Sequence, residues 1–291
     1  MPRSNETLAR RARLLLRIVA MTLLPAIATA SDLDVFHADS LAGPMREIKL
    51  AFEGRNAGVN LRLTSGVSRD LAARILKGDA CDVFAPSSPS VIDEDLMNRK
   101  IAGSGQDAAT WYVVFSANEM VVIVAKGNPL GIREVSDLLR PQLRFARING
   151  EKDLATARTI EFVKRATAKE GKAELASRII DGALNDPTKA TTVPEAVAAV
   201  RDGKADAAVV YYSAAITARN DVDIIRFPDN VNLSETIRNA ATVPGTARNA
   251  EEATLLVRFL VSAEAQAILQ RTGQPPVVPA LRKGAVPDAI N

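Results

Sequence analysis

The sequence predicts an α/β protein of two lobes, each a mainly parallel sheet flanked by helices. Three observations carry that expectation. Apolar, strand-like runs give way to segments of helical spacing over 33–86, and the same alternation returns over 116–230. No glycine- and serine-rich tether separates the two stretches, so strands should join the lobes. The chain has 291 residues, of which 47% are hydrophobic and 24% charged. That is enough apolar material for one large domain or two medium lobes, and it is the composition of an ordinary globular protein.

The elements follow in order. "LDVFHA" is a strand that ends near residue 38, and "PMREIKLAFEG" is a helix closed by Gly54. "VNLRLT" alternates as a strand. "SRDLAARILKG" places Leu71, Ala72, Ile75 and Leu76 on one helical face and stops at Gly78. "CDVFAP" is a buried strand, and this β-α-β-α-β order calls for a parallel sheet. Asp93, Glu94 and Asp95 read as the solvated acidic start of a helix. "TWYVVFSANEMVVIVAKGNP" is either two strands or one strand passing between lobes, with the polar break "SANE" in its middle.

Beyond it, "IREVSDLLRP" reads as a short helix and "QLRFARI" as a strand. "DLATARTIEFVKRATAKEG" and "AELASRIIDGAL" have helical periodicity. "VPEAVAAVRDG" is a helix with proline in its first turn. "KADAAVVYYSAA" and "VDIIRFP" are strands. Asn249 and Ser262 each stand where a helix cap is wanted, and Gly273 ends the last helix. The predicted division is 1–30 as a leader, 31–115 plus 231–291 as the first lobe, and 116–230 as the second.

The first thirty residues have a basic start, an apolar middle and the small-residue end Ala28-Thr29-Ala30. That is the pattern of a cleaved secretory signal peptide, and Arg17 interrupts the apolar run against a permanent membrane helix. Five arginines and one glutamate give this segment +4, whereas the whole chain carries +3. The remainder is therefore −1, and nucleic acid is not an expected partner. One cysteine, Cys81, and one histidine, His37, exclude an internal disulfide and leave no metal-ligand spacing.

Serines stand at two successive strand-to-helix junctions, in "ADSL" and in "TSGVSRDL". A helix that begins at the carboxyl edge of a parallel sheet points unpaired N–H groups at the ligand crevice, where they suit an anion. Serine hydroxyls there would add donors. The plainer alternative is that each serine merely caps its helix. Tyr211-Tyr212, at another strand end, offers a further donor, or a half-buried aromatic with a wet tip. Catalysis finds no support. His37 lies three residues before Ser40, a nucleophile elbow is missing, and no phosphate-binding GxxxxGK[ST] loop occurs.

"FHADSLAGPMREIKLAFE", "ACDVFAPSSPSVID", "WYVVFSANEMVVIVAKGNP" and "FLVSAEAQAILQRTGQPPV" resemble the periplasmic molybdate- and tungstate-binding proteins of ABC importers, over about residues 33–281. The resemblance implies a two-lobed periplasmic-binding-protein fold with a ligand cleft between the lobes, which closes on a tetrahedral oxyanion, molybdate or tungstate. It implies a monomer in the periplasm that delivers its guest to an inner-membrane ABC permease, with no catalytic activity and no other cofactor. By that resemblance Ser40 is the first donor, Ser65 or Ser68 the second, and Tyr211 the tyrosine donor, with backbone amides near "INGEKDLAT". Two departures bear on the guest. The tungstate branch has a glutamate where this chain has Val210, although Asp153 matches that branch's aspartate. The loop 147–156 also carries Lys152 and lacks a proline-rich turn. Another inorganic or small organic anion is the alternative guest, and a secreted hydrolase the alternative from another class.

Overall fold

Ten strands and the helices between them pack into three sheets in this computed structural model, which describes residues 31–149, 154–184, 190 and 192–290. The leader reading of 1–30 and the candidate Asp153 lie outside the described residues. The first sheet has the order β2-β1-β3, from β1 (Ser31–Ala38), β2 (Val59–Gly66) and β3 (Val83–Ala85), and is wholly parallel. The second, β10-β4-β9, joins β4 (Trp111–Ala117), β9 (Arg238–Ala241) and β10 (Pro276–Gly284) and is antiparallel. The third has the order β6-β7-β5-β8, from β5 (Met120–Ala125), β6 (Phe145–Ala146), β7 (Ala207–Tyr211) and β8 (Val222–Ile225).

Strand direction is thus more mixed than the sequence suggested. Only β6–β7 is parallel in the third sheet, and β5 runs antiparallel to both its neighbours. Fully buried strands read as continuous apolar runs in either orientation, which hides direction from the pattern. The long run 110–129 resolves into two strands. The chain leaves β4 in one sheet, turns at Asn118-Glu119 and enters β5 in another.

Three buried clusters hold the fold. Along β1, Leu33 and Val35 join Met45, Ile48 and Phe52 of the helix Ala42–Arg55, whereas Phe36 joins Leu71 and Ile75 of the helix Ser68–Leu76. Successive strand residues point to opposite faces, so one strand feeds two cores. The third cluster wraps β5 and β7 with Phe162, Val163 and Ala166 from the helix Leu154–Lys169. Cys81 is a buried free thiol just before β3, and burial pushes its pKa far above the usual thiol range.

Two local readings are corrected. Asp93, Glu94 and Asp95 lie at the end, not the start, of the helix Pro89–Asp95, whose N-cap is Ser88. Carboxylates are unfavourable at a helix C-terminus. Here cations meet them, Arg69 at Glu94 (2.6 Å) and Asp95 (2.7 Å), and Lys283 at Asp93 (2.7 Å). Asn249 holds the N-cap position of Ala250–Leu260 but makes no side-chain cap bond. Its side chain donates to Asp32 O (3.0 Å), and the Asp82 carboxylate accepts the Arg248 and Asn249 amides instead. Ser262 does cap its helix, accepting from Ala265 N.

Candidate functional site

The parallel register of β1 and β2 pairs Ala38 with Gly66. Ser40 and Ser68 therefore each stand two residues past a pair of aligned strand ends, which brings them to one place. β3 ends at Ala85, and Ser87 lies the same two residues beyond. Each strand then turns into a helix: a 3₁₀ turn at Asp39–Leu41, the helix Ser68–Leu76 and the helix Pro89–Asp95. From the third sheet, β7 ends at Tyr211, which precedes the short helix Tyr212–Thr217.

Ser40, Ser68, Ser87, Tyr211, Leu154 and Val193 all line one small hollow. Leu154 belongs to the helix Leu154–Lys169, and Val193 is the first residue of the helix Val193–Arg201. The N-termini of the helices Ser68–Leu76 and Val193–Arg201 thus meet there and favour negative charge. The hollow measures about 10 Å³ for the centre of a water-sized guest. Such a volume has room for about one water molecule. The four hydroxyl side chains belong to residues between 2% and 6% exposed.

Neither Ser40 nor Ser68 caps a helix. The N-cap positions belong to Ala38 and Val67, and neither makes a side-chain cap bond. Ser68 Oγ instead accepts from Ser87 N (3.2 Å) and lies 3.4 Å from Ser87 Oγ. Ser40 Oγ is buried and has no hydrogen-bond partner among the described residues. The backbone carbonyl of Ser40 is nonetheless fixed twice, by Ser213 Oγ (2.7 Å) and Gln274 Nε2 (3.1 Å). Ser213 Oγ accepts in turn from Asn118 Nδ2 (2.9 Å), and Gln274 Oε1 from Asn239 Nδ2 (2.6 Å). Gly273, at φ +80°, lets this segment come close, since a Cβ there would meet the Tyr212 ring and Ser213 Cα at 3.0 Å.

Ser65, the other reading of the second donor, does not join the hollow. It is exposed in β2, and its hydroxyl donates to the Asp39 carboxylate. Asp39 also lines the hollow, so this bond engages the one carboxylate the described lining contains. Tyr211 and Ser87 are linked by Arg158, which the sequence reading did not single out. Its Nη1 donates to Tyr211 Oη (2.9 Å) and its Nη2 to Ser87 O (2.8 Å). Ser87 was legible in principle, as a third serine at a third strand-to-helix junction. Arg158 gave no such signal, because a charged residue in a helix reads as a solvated face.

His37 lies beneath this edge, 2% exposed, with Nδ1–H donating to Ala38 O (2.9 Å). Burial lowers its pKa, and the hydrogen bond to Ala38 opposes that shift without cancelling it.

The model of the bacterial extracellular solute-binding protein family matches residues 33–274. The chain belongs to that family. Among sequence relatives, the molybdate-binding protein ModA of Mycobacterium tuberculosis is 29% identical over 69% of this chain and 68% of its own. Among solved structures, the periplasmic molybdate-binding protein of Azotobacter vinelandii aligns with a TM-score of 0.65 at 18% identity, over 85% of this chain and 99% of that one. The sulfate-binding protein SubI of Mycobacterium tuberculosis aligns with a TM-score of 0.64 at 19% identity, over 86% and 88%. This solute-binding protein therefore has the two-lobed architecture of periplasmic binding proteins, on which oxyanions of different kinds are carried.

Proposed function

We propose that this protein captures a tetrahedral oxyanion, molybdate or tungstate, in the periplasm and hands it to the membrane permease of an ABC importer. The first thirty residues act as its cleaved leader, and the protein binds without catalysing a reaction. One observation carries the reading: the buried hydroxyl of Ser40, without a partner among the described residues, meets Ser68, Tyr211 and two helix N-termini around a single small hollow. Leaving a buried hydroxyl unpaired costs about 1–3 kcal/mol, which a guest that accepts a hydrogen bond recovers. A fully deprotonated oxyanion is such a guest, because it presents acceptors only. A protonated one would set donor against donor.

Neutral donors and helix dipoles can hold a dianion out of water, since each hydrogen bond to a charged acceptor is about twice as strong as a neutral one. The kinship with a molybdate-binding protein over two thirds of the chain supports the choice of guest. Val210 in place of a glutamate argues against direct carboxylate coordination of the guest's metal centre on that side. Two lobes that meet at the hollow would close by rotating about the strands that cross between them, and the closed form would dock on the permease.

Calorimetry with molybdate, tungstate, sulfate and phosphate tests the proposal. The expected result is tight, equal binding of molybdate and tungstate and much weaker binding of the smaller sulfate. Sulfate or phosphate binding as tightly as molybdate would overturn the ligand assignment.

A further inference from the structure

We infer that Arg158 is the positioning residue that latches the two sides of the hollow together and sets its preference for a doubly charged guest. The inference rests on the oxyanion reading of the same site. Arg158 stands on the helix Leu154–Lys169, whose residues Ala155, Phe162 and Val163 pack with the β5–β7 core. Ser68 and Ser87 belong to the opposite side, where Leu71 and Ile75 of the helix Ser68–Leu76 pack with Phe84 of β3. A single guanidinium crosses from one side to the other, with Nη1 on Tyr211 Oη and Nη2 on Ser87 O.

The bonds form a belt around the hollow. Arg158 fixes Tyr211 on one side and the carbonyl of Ser87 on the other, and the Ser87 amide donates to Ser68 Oγ (3.2 Å). Three of the hollow's hydroxyl residues are therefore held by one chain of contacts. By donating to Tyr211 Oη, the guanidinium occupies an acceptor position there and turns the hydroxyl proton away from itself. A phenol so arranged is a donor to whatever else it faces. The planar fork of arginine suits this task, since it meets two acceptors with one rigid group, which a lysine cannot do.

The same group supplies charge. The lining itself carries no lysine or arginine among the described residues. Arg158 stands one hydrogen bond behind it, through Tyr211 and Ser87. Its positive charge is partly sheltered from water and acts on a guest in proportion to the guest's own charge. A dianion gains twice what a monoanion of the same shape gains.

The experiment compares the protein with its Arg158→Gln and Arg158→Lys variants. The readouts are molybdate affinity by calorimetry, competition by perrhenate as a tetrahedral oxyanion of single charge, and the radius of gyration of the ligand-free protein by X-ray scattering. Arg158→Gln should lose roughly 10- to 100-fold in molybdate affinity, the range of a charge-assisted hydrogen bond. It should also lose much of its preference for molybdate over perrhenate and expand when ligand-free. Arg158→Lys should keep the charge preference, yet expand and bind with intermediate affinity. An Arg158→Gln variant that matches the parent in affinity, in molybdate-to-perrhenate ratio and in radius overturns the inference. A parent that binds no tetrahedral oxyanion overturns the functional reading instead, and the scattering comparison then judges the latch by itself.

Discussion

Ser40 and Ser68 occupy equivalent places, each two residues past an aligned strand end, and yet they are provided for in opposite ways. Ser68 spends its hydroxyl on Ser87, accepting the amide of its neighbour across the sheet edge. Ser40 has its carbonyl pinned by Ser213 and Gln274 while its hydroxyl has no partner among the described residues. The fold thus fixes the Ser40 backbone and leaves its side chain to be completed from outside. The difference separates a residue that builds the wall of the hollow from one that awaits what enters it. Secondary-structure preference cannot explain it, because neither serine caps a helix.

The largest effect expected from this contrast is at Ser40. Ser40→Ala should weaken oxyanion binding by roughly 10- to 100-fold, the value of one hydrogen bond to a charged acceptor. It should not lower the unfolding free energy of the ligand-free protein, since no bond within the described residues is lost and a buried unpaired oxygen disappears. Denaturant unfolding with and without molybdate reads both quantities. A loss of stability equal to the loss of affinity would show Ser40 to be structural and would erase the distinction from Ser68.

Ser68→Ala should behave in the reverse sense. The Ser87 amide would lose its acceptor in a buried place, at a cost of about 1–3 kcal/mol to folding. Binding should fall less than for Ser40→Ala, because the wall is loosened while the Ser40 hydroxyl remains. The comparison sharpens if the double variant is additive in stability and more than additive in affinity, which a double-mutant cycle measures.

The parts that the sequence made legible are those set by local pattern. The alternation of strand and helix over 33–86, the polar break at Asn118-Glu119, and the gathering of serines at the carboxyl edge all follow from periodicity and connection rules. The second donor stayed open between Ser65 and Ser68 because "TSGVS" is rich in residues that end strands and begin turns alike. Only the pairing of β1 with β2 out to Gly66 puts Ser65 in the strand and Ser68 beyond it. Arg158 and the bonds from Ser213 and Gln274 to Ser40 O join residues 71, 173 and 234 positions apart. Such contacts arise from tertiary packing and leave no trace in any window of the chain.

A smaller effect belongs to the strand beneath the two serines. His37 is the only histidine, and burial lowers its pKa from 6.5. A base held neutral in the fold binds fewer protons there than in the unfolded chain, so stability rises with pH and is lost as pH falls below about 6.5. The melting temperature should therefore decline between pH 7 and pH 5, and His37→Gln should flatten that slope. A slope that survives the substitution would assign the acid sensitivity to carboxylates elsewhere.

The smallest effect is expected at Ser65, and it is the one that tests the register. Ser65 pairs with His37 across β1 and β2, but its exposed hydroxyl reaches Asp39 and not the hollow. Solvent can replace the bond it gives to that carboxylate, so Ser65→Ala should leave oxyanion affinity within about twofold and stability within about 0.5 kcal/mol. The remaining influence is indirect. Asp39 lines the hollow, and a carboxylate released from Ser65 could turn toward an anionic guest and weaken its binding slightly, more so at low salt. Titrating Ser65→Ala with molybdate at two ionic strengths separates the cases. A loss as large as that of Ser40→Ala, insensitive to salt, would make Ser65 a direct donor and move the second hydroxyl of the site from the helix start back into the strand.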